Sequence, residues 1–202
     1  MGYYYLAAQL PSLFYGQSAP MSSRAFQDLC KGVLQAGDLA LLALCTLEPD
    51  VSPPGGPSYG EPPKPCSSAF INNWRNWERA LRLNLARYRA QRLKREGGAA
   101  VVDPPDYPAD ATAAAKTAAS MDSPLEAEIF LDKARWDAIE LFQGIEYFSS
   151  NTIFAYLLKL RLLERRALFK AEEGFTEYKG LYASITEQPE NASKRVESGV
   201  PK

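Results

Sequence analysis

The chain has 202 residues, a formal net charge of −1, three cysteines and no histidine. The absence of histidine removes the commonest general base and the commonest metal ligand. Cysteines without CxxC spacing predict neither a zinc knuckle nor a redox pair, and a net charge near zero gives no overall field to attract nucleic acid. No apolar run approaches the ~20 residues that span a bilayer, and the N-terminus does not resemble a signal peptide. We therefore expect a cytoplasmic protein of one domain or two small ones.

The small net charge conceals two segments of opposite sign. Trp74–Glu96 contains eight Lys or Arg and two Glu, a local charge of +6. Val101–Ser150 contains three Lys or Arg and ten Asp or Glu, a local charge of −7. Opposite charges within one chain either pair with each other or face different partners, and the sequence leaves both possibilities open.

The first 47 residues predict a docked N-terminus and a helical hairpin. Residues 3–10, YYYLAAQL, are aromatic and apolar, which suits a short strand or a buried first turn. A serine at position 22 or 23 caps a helix to about residue 32, with one side formed by Phe26, Leu29, Cys30 and Val33. Gly37 then breaks the pattern, and Asp38 caps a short apolar helix, Leu39–Leu47.

A proline-rich segment and a long helix follow. Residues 48–67 contain seven of the fifteen prolines and have no periodicity, which predicts a surface loop rather than a ligand for a proline-recognition module. Ser67 or Ser68 then opens a helix to about Arg95. Its apolar residues recur at spacings of three and four and predict one buried face: Phe70, Trp74, Trp77, Leu81, Leu85 and Tyr88.

Arginines occupy the rest of this helical wheel. Arg75, Arg79, Arg82 and Arg89 are candidate contacts for an acidic protein partner. RNA binding is the alternative that the basic and aromatic composition suggests. It is disfavoured, because the aromatic residues lie in the apolar stripe and are not interleaved with the arginines on one surface. We predict a packed core with a solvated basic face and no nucleic-acid partner.

The next segment is a linker followed by a capped helix. Residues 97–122 mix Gly, Pro, Asp and Ala, which predicts a linker or a loosely helical excursion around Ala111–Ala119. Ser123-Pro124-Leu125-Glu126 is a capping box with proline at the first helical position, and the helix runs to about Gln143. Its predicted faces are, first, Leu125, Ile129, Trp136 and Ile139 and, second, Phe130, Ala134 and Leu141. Gly144 ends it, and an aromatic connection over 145–148 leads onward.

Asn151–Phe175 has the clearest helical period in the chain and predicts the helix around which the others pack. It has two apolar stripes, the broader formed by Ile153, Tyr156, Leu157, Leu160, Leu163, Ala167 and Leu168. A last helix is predicted over 175–188, and the polar residues 188–202 predict a disordered tail. The sequence thus predicts an all-α fold, a bundle of about six helices, as a single domain over 1–187.

The sequence carries no motif of an enzyme or a cofactor site. It has neither a glycine-rich phosphate loop nor a Glu-x-x-His ligand set, so we predict no enzymatic activity, no cofactor and no metal. Glu164 falls inside the apolar arc of the central helix. It is either an edge residue paired with Arg161 or another basic side chain, or a buried acid that locks two helices through a basic residue elsewhere. Asp132 is placed similarly in the preceding helix.

Four stretches together resemble a known family: MGYYYLAAQLPSL, WRNWERALRLNLARYRAQRL, KARWDAIELF, and FAYLLKLRLLERRALF followed by EEGF. They are similar to small proteins encoded with bacterial V-type (A-type-like) ATP synthases. In those operons the protein takes the place of the stalk adaptor, which is lettered C in bacteria and d in eukaryotes. The stalk adaptor is an all-helical protein that seats the central stalk on the membrane ring of proteolipid subunits.

The resemblance implies a non-catalytic structural subunit with a fold like that of the stalk adaptor. Its partners would be the central stalk and the membrane ring, and its contact with the inner membrane would be peripheral, through the complex. An assembly factor or regulator of the same complex is the alternative within this interpretation. An RNA-binding helical protein is the alternative from a different class, and its binding would weaken steeply with salt.

Overall fold

The computed structural model describes residues 2–48, 63–92 and 109–169. Within these ranges the protein has seven helices and no strand, which confirms the predicted all-α class. The helices are α1 (Gly2–Gln9), α2 (Ser23–Lys31), α3 (Ala36–Ala43), α4 (Ala69–Arg92), α5 (Ala109–Ser120), α6 (Pro124–Gln143) and α7 (Ser150–Ala167). Most of the loop predicted over 48–67, the helix predicted over 175–188 and the tail over 188–202 lie outside the described residues.

The chain divides into two compact units, Met1–Arg166 and Ala167–Lys202. All seven helices begin in the first unit, and α7 ends one residue beyond its boundary. Of the second unit only residues 167–169 are described. The predicted single domain over 1–187 therefore stays a prediction beyond Arg166.

The N-terminus is helical and docked, which confirms the predicted docked end; of the two alternatives for residues 3–10, the strand is wrong. Leu6 is buried, and the Tyr3 hydroxyl donates a 2.6 Å hydrogen bond to the Asp38 carboxylate of α3. Asp38 does not cap α3, because it lies inside the first turn of the helix. The helix begins before it, at Ala36, and includes Gly37, since one glycine costs only about 1 kcal/mol in a helix.

The serine cap predicted for α2 is confirmed. The Ser22 hydroxyl accepts a 3.1 Å hydrogen bond from the Ala25 amide. On the predicted apolar side of this helix Phe26 and Cys30 are fully buried. Leu29 and Val33 are exposed, so only half of that side faces the core.

Helix α4 buries the face that its period predicts, and a short alanine-rich helix covers part of it. Phe70, Trp74 and Trp77 are buried, and the two indole rings stack with centroids 6.0 Å apart. The segment 97–122, predicted as a linker or a loosely helical excursion around Ala111–Ala119, contains helix α5. Its alanines at spacings of three and four are buried: Ala111, Ala114, Ala115 and Ala118. Small side chains allow α5 to lie close to α4, and this packing stabilises a helix that has little apolar area of its own.

Helix α6 has the predicted ends and part of the predicted buried face, since Trp136 and Ile139 are buried. The Ser123 hydroxyl accepts a 3.3 Å bond from the Glu126 amide, and Gly144 follows the helix with φ of 71°. Leu125 and Leu141, predicted to face neighbours, are exposed. The buried side of α6 contains Ala127, Leu131, Asp132, Arg135, Trp136, Ala138 and Ile139. Two charged residues, Asp132 and Arg135, thus belong to the buried side of α6.

Helix α7 is the most enclosed of the seven. Every residue from Ile153 to Leu158 is buried, which requires neighbours on all sides. Its Phe154 ring lies 6.3 Å from Phe70 of α4, and its Tyr156 ring lies 4.9 Å from Phe26 of α2. The predicted central role of this helix agrees with its burial. Leu168, predicted to lie in the apolar arc, is 80% exposed.

Candidate functional site

A buried ion network joins α4 and α6 inside the core. The Arg135 guanidinium of α6 donates to both oxygens of Glu78 of α4, with Nε to Oε2 at 3.0 Å and Nη2 to Oε1 at 3.1 Å. Its Nη1 donates to Asp132 Oδ1, one helical turn earlier, at 3.0 Å. All three residues are buried. The planar guanidinium therefore engages two carboxylates with its full fork, the geometry that gives arginine pairs their directionality.

The network continues outward and includes α7. The Arg165 guanidinium donates to Asp132 and, at 2.8 Å, to Glu128 Oε2. Glu128 also pairs with Arg89 of α4 at 3.4 Å. At the other end Arg82 pairs with Glu78 at 2.7 Å. Positive and negative groups alternate along the whole path, and three helices are fixed to one another by it.

The protonation of these groups follows from burial and from their partners. Burial disfavours the charged carboxylate of Glu78, but Arg135 and Arg82 outweigh it and lower its pKa below the ordinary value. Glu128 behaves alike, because Arg165 and Arg135 overcome its desolvation and lower its pKa. Burial likewise disfavours the charged guanidinium of Arg135, yet Glu78 and Asp132 raise its pKa above the ordinary value.

Asp132 is the most costly member of the network. It is 1% exposed, and its Oδ2 atom is buried without a hydrogen-bond partner among the described residues. Burial raises the pKa of its carboxyl above the ordinary value, although Arg165 and Arg135 oppose that shift. A buried charge is tolerated only when it is paired. The pair between Asp132 and Arg165 therefore joins α6 to α7, and Arg135, also of α6, further stabilises the carboxylate.

Some charges of the two oppositely charged segments pair with each other, one of the two possibilities that the sequence leaves open. Arg89 of the basic segment contacts Glu128 of the acidic one. Arg92 pairs with Asp122 at 3.1 Å and donates to the carbonyls of Ala119 and Met121. These pairs are partly exposed and individually weak. The buried pair is formed instead by Glu78, a glutamate of the basic segment, and Arg135, an arginine of the acidic segment.

The four arginines predicted to bind a partner have intramolecular partners, to different degrees. Arg75 donates to the Lys64 carbonyl at 3.1 Å, and Arg82 donates to the Leu47 carbonyl as well as to Glu78. Arg79 is half-buried and also has an interaction partner. Arg89 is more accessible than Arg82, with 55% of its side chain exposed against 36%.

Glu164 is half-buried and connects two helices in a way that neither sequence interpretation describes. Its Oε1 accepts a 2.6 Å hydrogen bond from the Ser23 amide, at the first residue of α2. It therefore satisfies a free amide at a helix N-terminus, where a negative charge is favoured. Arg161, its predicted partner, donates instead to the Cys45 carbonyl at 2.7 Å.

Sequence reasoning missed Glu78, Arg135 and Arg165. A usable signal is present for two of them. Glu78 is four residues after Trp74 and three before Leu81, inside the predicted apolar face of α4. Arg135 lies four residues before Ile139. Glu78 is also one of the few negative residues of the basic segment, and Arg135 is one of the few positive residues of the acidic segment. A charge opposite in sign to its segment, next to apolar helix positions, therefore indicates a buried pair.

Little in the described residues resembles a small-molecule or metal site. A cleft of about 240 Å³ is lined by Trp77, Asp110, Ala134, Asp137, Ala138 and Leu141, which is below the ~300–1,000 Å³ typical of ligand pockets. Over residues 2–48, 63–92 and 109–169, no three His, Cys, Asp or Glu side chains are grouped as metal ligands would be. Over the same ranges, no helix has the length and hydropathy required to cross a bilayer.

Comparison of this chain with known protein families, with curated proteins and with solved structures finds no match.

Proposed function

We propose that this chain is a non-catalytic structural subunit of a V-type ATP synthase, an adaptor between the central stalk and the membrane ring. One observation carries the proposal. The stretches that resemble proteins encoded with these synthases are also the helices that the ion network joins. WRNWERALRLNLARYRAQRL contains Glu78 of α4, KARWDAIELF contains Arg135 of α6, and FAYLLKLRLLERRALF contains Arg165 of α7.

An adaptor that transmits torque has to move as a rigid body. Apolar packing alone lets helices slide by small amounts, because hydrophobic contact has no direction. The Arg135 fork on Glu78 is directional, and displacing α4 from α6 leaves a buried charge unpaired at a cost of about 3–5 kcal/mol. The network therefore supports a mechanical function for α4, α6 and α7.

The basic side of α4 is the proposed contact with an acidic partner protein of the complex. Arg75, Arg79, Arg82 and Arg89 lie along it, and Arg89 is more exposed than Arg82. A carboxylate on a partner would compete with Glu128 for the Arg89 guanidinium. Because an exposed pair contributes only about 0.2–1 kcal/mol, that exchange is energetically easy.

The proposal is tested by co-purification from the native host. The chain is tagged, membranes are solubilised gently, and partners are quantified by mass spectrometry. Stalk and proteolipid subunits recovered in a fixed ratio to the tagged chain are the expected result. Recovery of soluble-sector subunits below stoichiometry would identify an assembly factor or regulator instead. Recovery of neither would refute the assignment to this complex.

A pair of variants then tests the arginine contact. Arg89→Glu is expected to reduce recovery of the partner at least ~10-fold at low salt, because like charges at an interface repel. Arg87→Glu is the matched control, since Arg87 is an exposed arginine of the same helix outside the proposed contact. Equal losses in both variants would show that only the overall charge of α4 matters.

A further inference from the structure

Aromatic side chains that the fold leaves in solvent meet on one surface. Tyr4 and Tyr5 of α1 are 57% and 73% exposed, and Phe148 of the α6–α7 connection is 51% exposed. The Tyr4 ring lies 4.6 Å from Phe148 and 6.1 Å from Tyr5, measured between centroids. These three residues are named the aromatic surface. The same short connection also exposes Tyr147 and Ile145, the latter to 90%.

The backbone beneath the aromatic surface is fixed on both sides. Helix α1 is held by the buried Leu6 and by the hydrogen bond from Tyr3 to Asp38. The connection is held by the Glu146 carbonyl, which accepts hydrogen bonds from Ser149 Oγ at 3.0 Å and Thr152 Oγ1 at 2.9 Å. A surface ordered before binding loses less conformational entropy when it binds. Exposed aromatic clusters on rigid elements are typical of protein interfaces.

The charged side chains in the two segments that carry the aromatic surface are all negative. Residues 1–23 and 136–158 contain no lysine or arginine. Glu146, between Ile145 and Tyr147, is exposed and forms no ion pair among the described residues. An anionic bilayer or a nucleic acid would find no lysine or arginine side chain in these two segments. A second copy docked through the same surface would bring two Glu146 carboxylates together, which is unfavourable.

We propose that the aromatic surface docks a protein segment that presents apolar side chains flanked by lysine or arginine. The apolar residues would pack on Tyr4, Tyr5 and Phe148, and a cation would pair with Glu146. Tyrosine rings also accept a cation on their faces. This inference is independent of the assignment to an ATP synthase, because it rests only on the shape and charge of this surface.

Two synthetic helical peptides of about 18 residues, five turns, provide the probe. Both carry the same leucine face, and their polar positions are all lysine in one and all glutamate in the other. Binding of each labelled peptide to the full chain is followed by fluorescence anisotropy. The lysine peptide is expected to bind at least ~10-fold more tightly than the glutamate peptide. Tyr5→Ser and Phe148→Ser should each weaken it ~10-fold or more, as loss of an aromatic anchor does.

Phe14→Ser is the matched control, because Phe14 is 57% exposed like Tyr4 and makes none of the ring contacts of the aromatic surface. It should leave the affinity unchanged, whereas Glu146→Gln should reduce the preference for lysine. Equal affinity for the two peptides would overturn the proposal. So would a loss of affinity in the Phe14→Ser control as large as that in Tyr5→Ser and Phe148→Ser. So would binding to phosphatidylserine vesicles or self-association that Tyr5→Ser abolishes, since either assigns the surface to another occupant. Peptide binding without co-purified synthase subunits would refute only the proposed function.

Discussion

Replacing Arg135 by methionine tests whether the buried network fixes the helices. The substitution keeps most of the side-chain volume and removes the guanidinium, so Glu78 loses its principal partner inside the core. Asp132 keeps Arg165. Breaking a buried pair by removing one partner costs about 3–5 kcal/mol. That is a large part of the ~5–15 kcal/mol by which a typical protein is stable.

The free energy of unfolding is measured by urea denaturation followed by circular dichroism. For a chain of this length the expected loss corresponds to a fall in Tm of roughly 6–20 °C. Lys133→Met is the matched control on the same helix, since Lys133 and Asp137 form an exposed pair one turn apart. Its cost should stay below about 1 kcal/mol.

A double-mutant cycle separates the pair from the packing. Glu78→Leu combined with Arg135→Met leaves no buried unpaired charge, because Arg82 lies at the edge of the network with 36% of its side chain exposed. The double variant should therefore be less destabilised than the sum of the two single variants, with a coupling free energy in the ~0.5–3 kcal/mol range. A cost of Arg135→Met below ~1 kcal/mol, or strictly additive costs, would show that the network does not fix the helices.

Three further outcomes are expected from denaturation measurements. Leu157→Ala should lower the free energy of unfolding by about 2–5 kcal/mol, because Leu157 is fully buried in α7. Leu141→Ala is the control and should lower it by less than ~0.5 kcal/mol, because Leu141 is 69% exposed. Similar losses in the two variants would contradict the burial of α7. Gly144→Ala should destabilise by ~1 kcal/mol because φ is +71° there, and Gly37→Ala, inside α3 with nothing within 4 Å of an added Cβ, should stabilise by ~0.4–1 kcal/mol. The folded-state pKa of Glu78 lies below its ordinary value of 4.5, so the stability that this carboxylate contributes is present above pH 4.5 and is lost as the pH falls through the folded pKa. The urea midpoint of Glu78→Gln should therefore depend less on pH below 4.5 than that of the unmodified protein. An unchanged dependence would refute the pairing.

The helices themselves are determined locally, and the sequence was sufficient to predict most of them. The Ser123 hydroxyl defines the start of α6 because it accepts a hydrogen bond from a free amide of the first turn. Gly144 defines the end because glycine readily adopts the positive φ that stops a helix. Trp74 and Trp77 are buried because they share the apolar face of α4, and such a face has to be covered whatever covers it. Period and capping chemistry therefore predict that a helix exists and which of its strongest apolar residues are buried.

Helix α5 and the buried network depend on tertiary structure. The alanines of α5 give no strong apolar period, and they are buried because α4 lies close enough to contact small side chains. Glu78 and Arg135 are separated by 57 residues, and each alone is a charge that belongs in solvent. Only the meeting of α4 and α6 makes their burial favourable, because pairing in the core offsets the desolvation of both. Glu164 likewise caps the Ser23 amide only because α7 packs on α2, and no local pattern in the sequence predicts that contact.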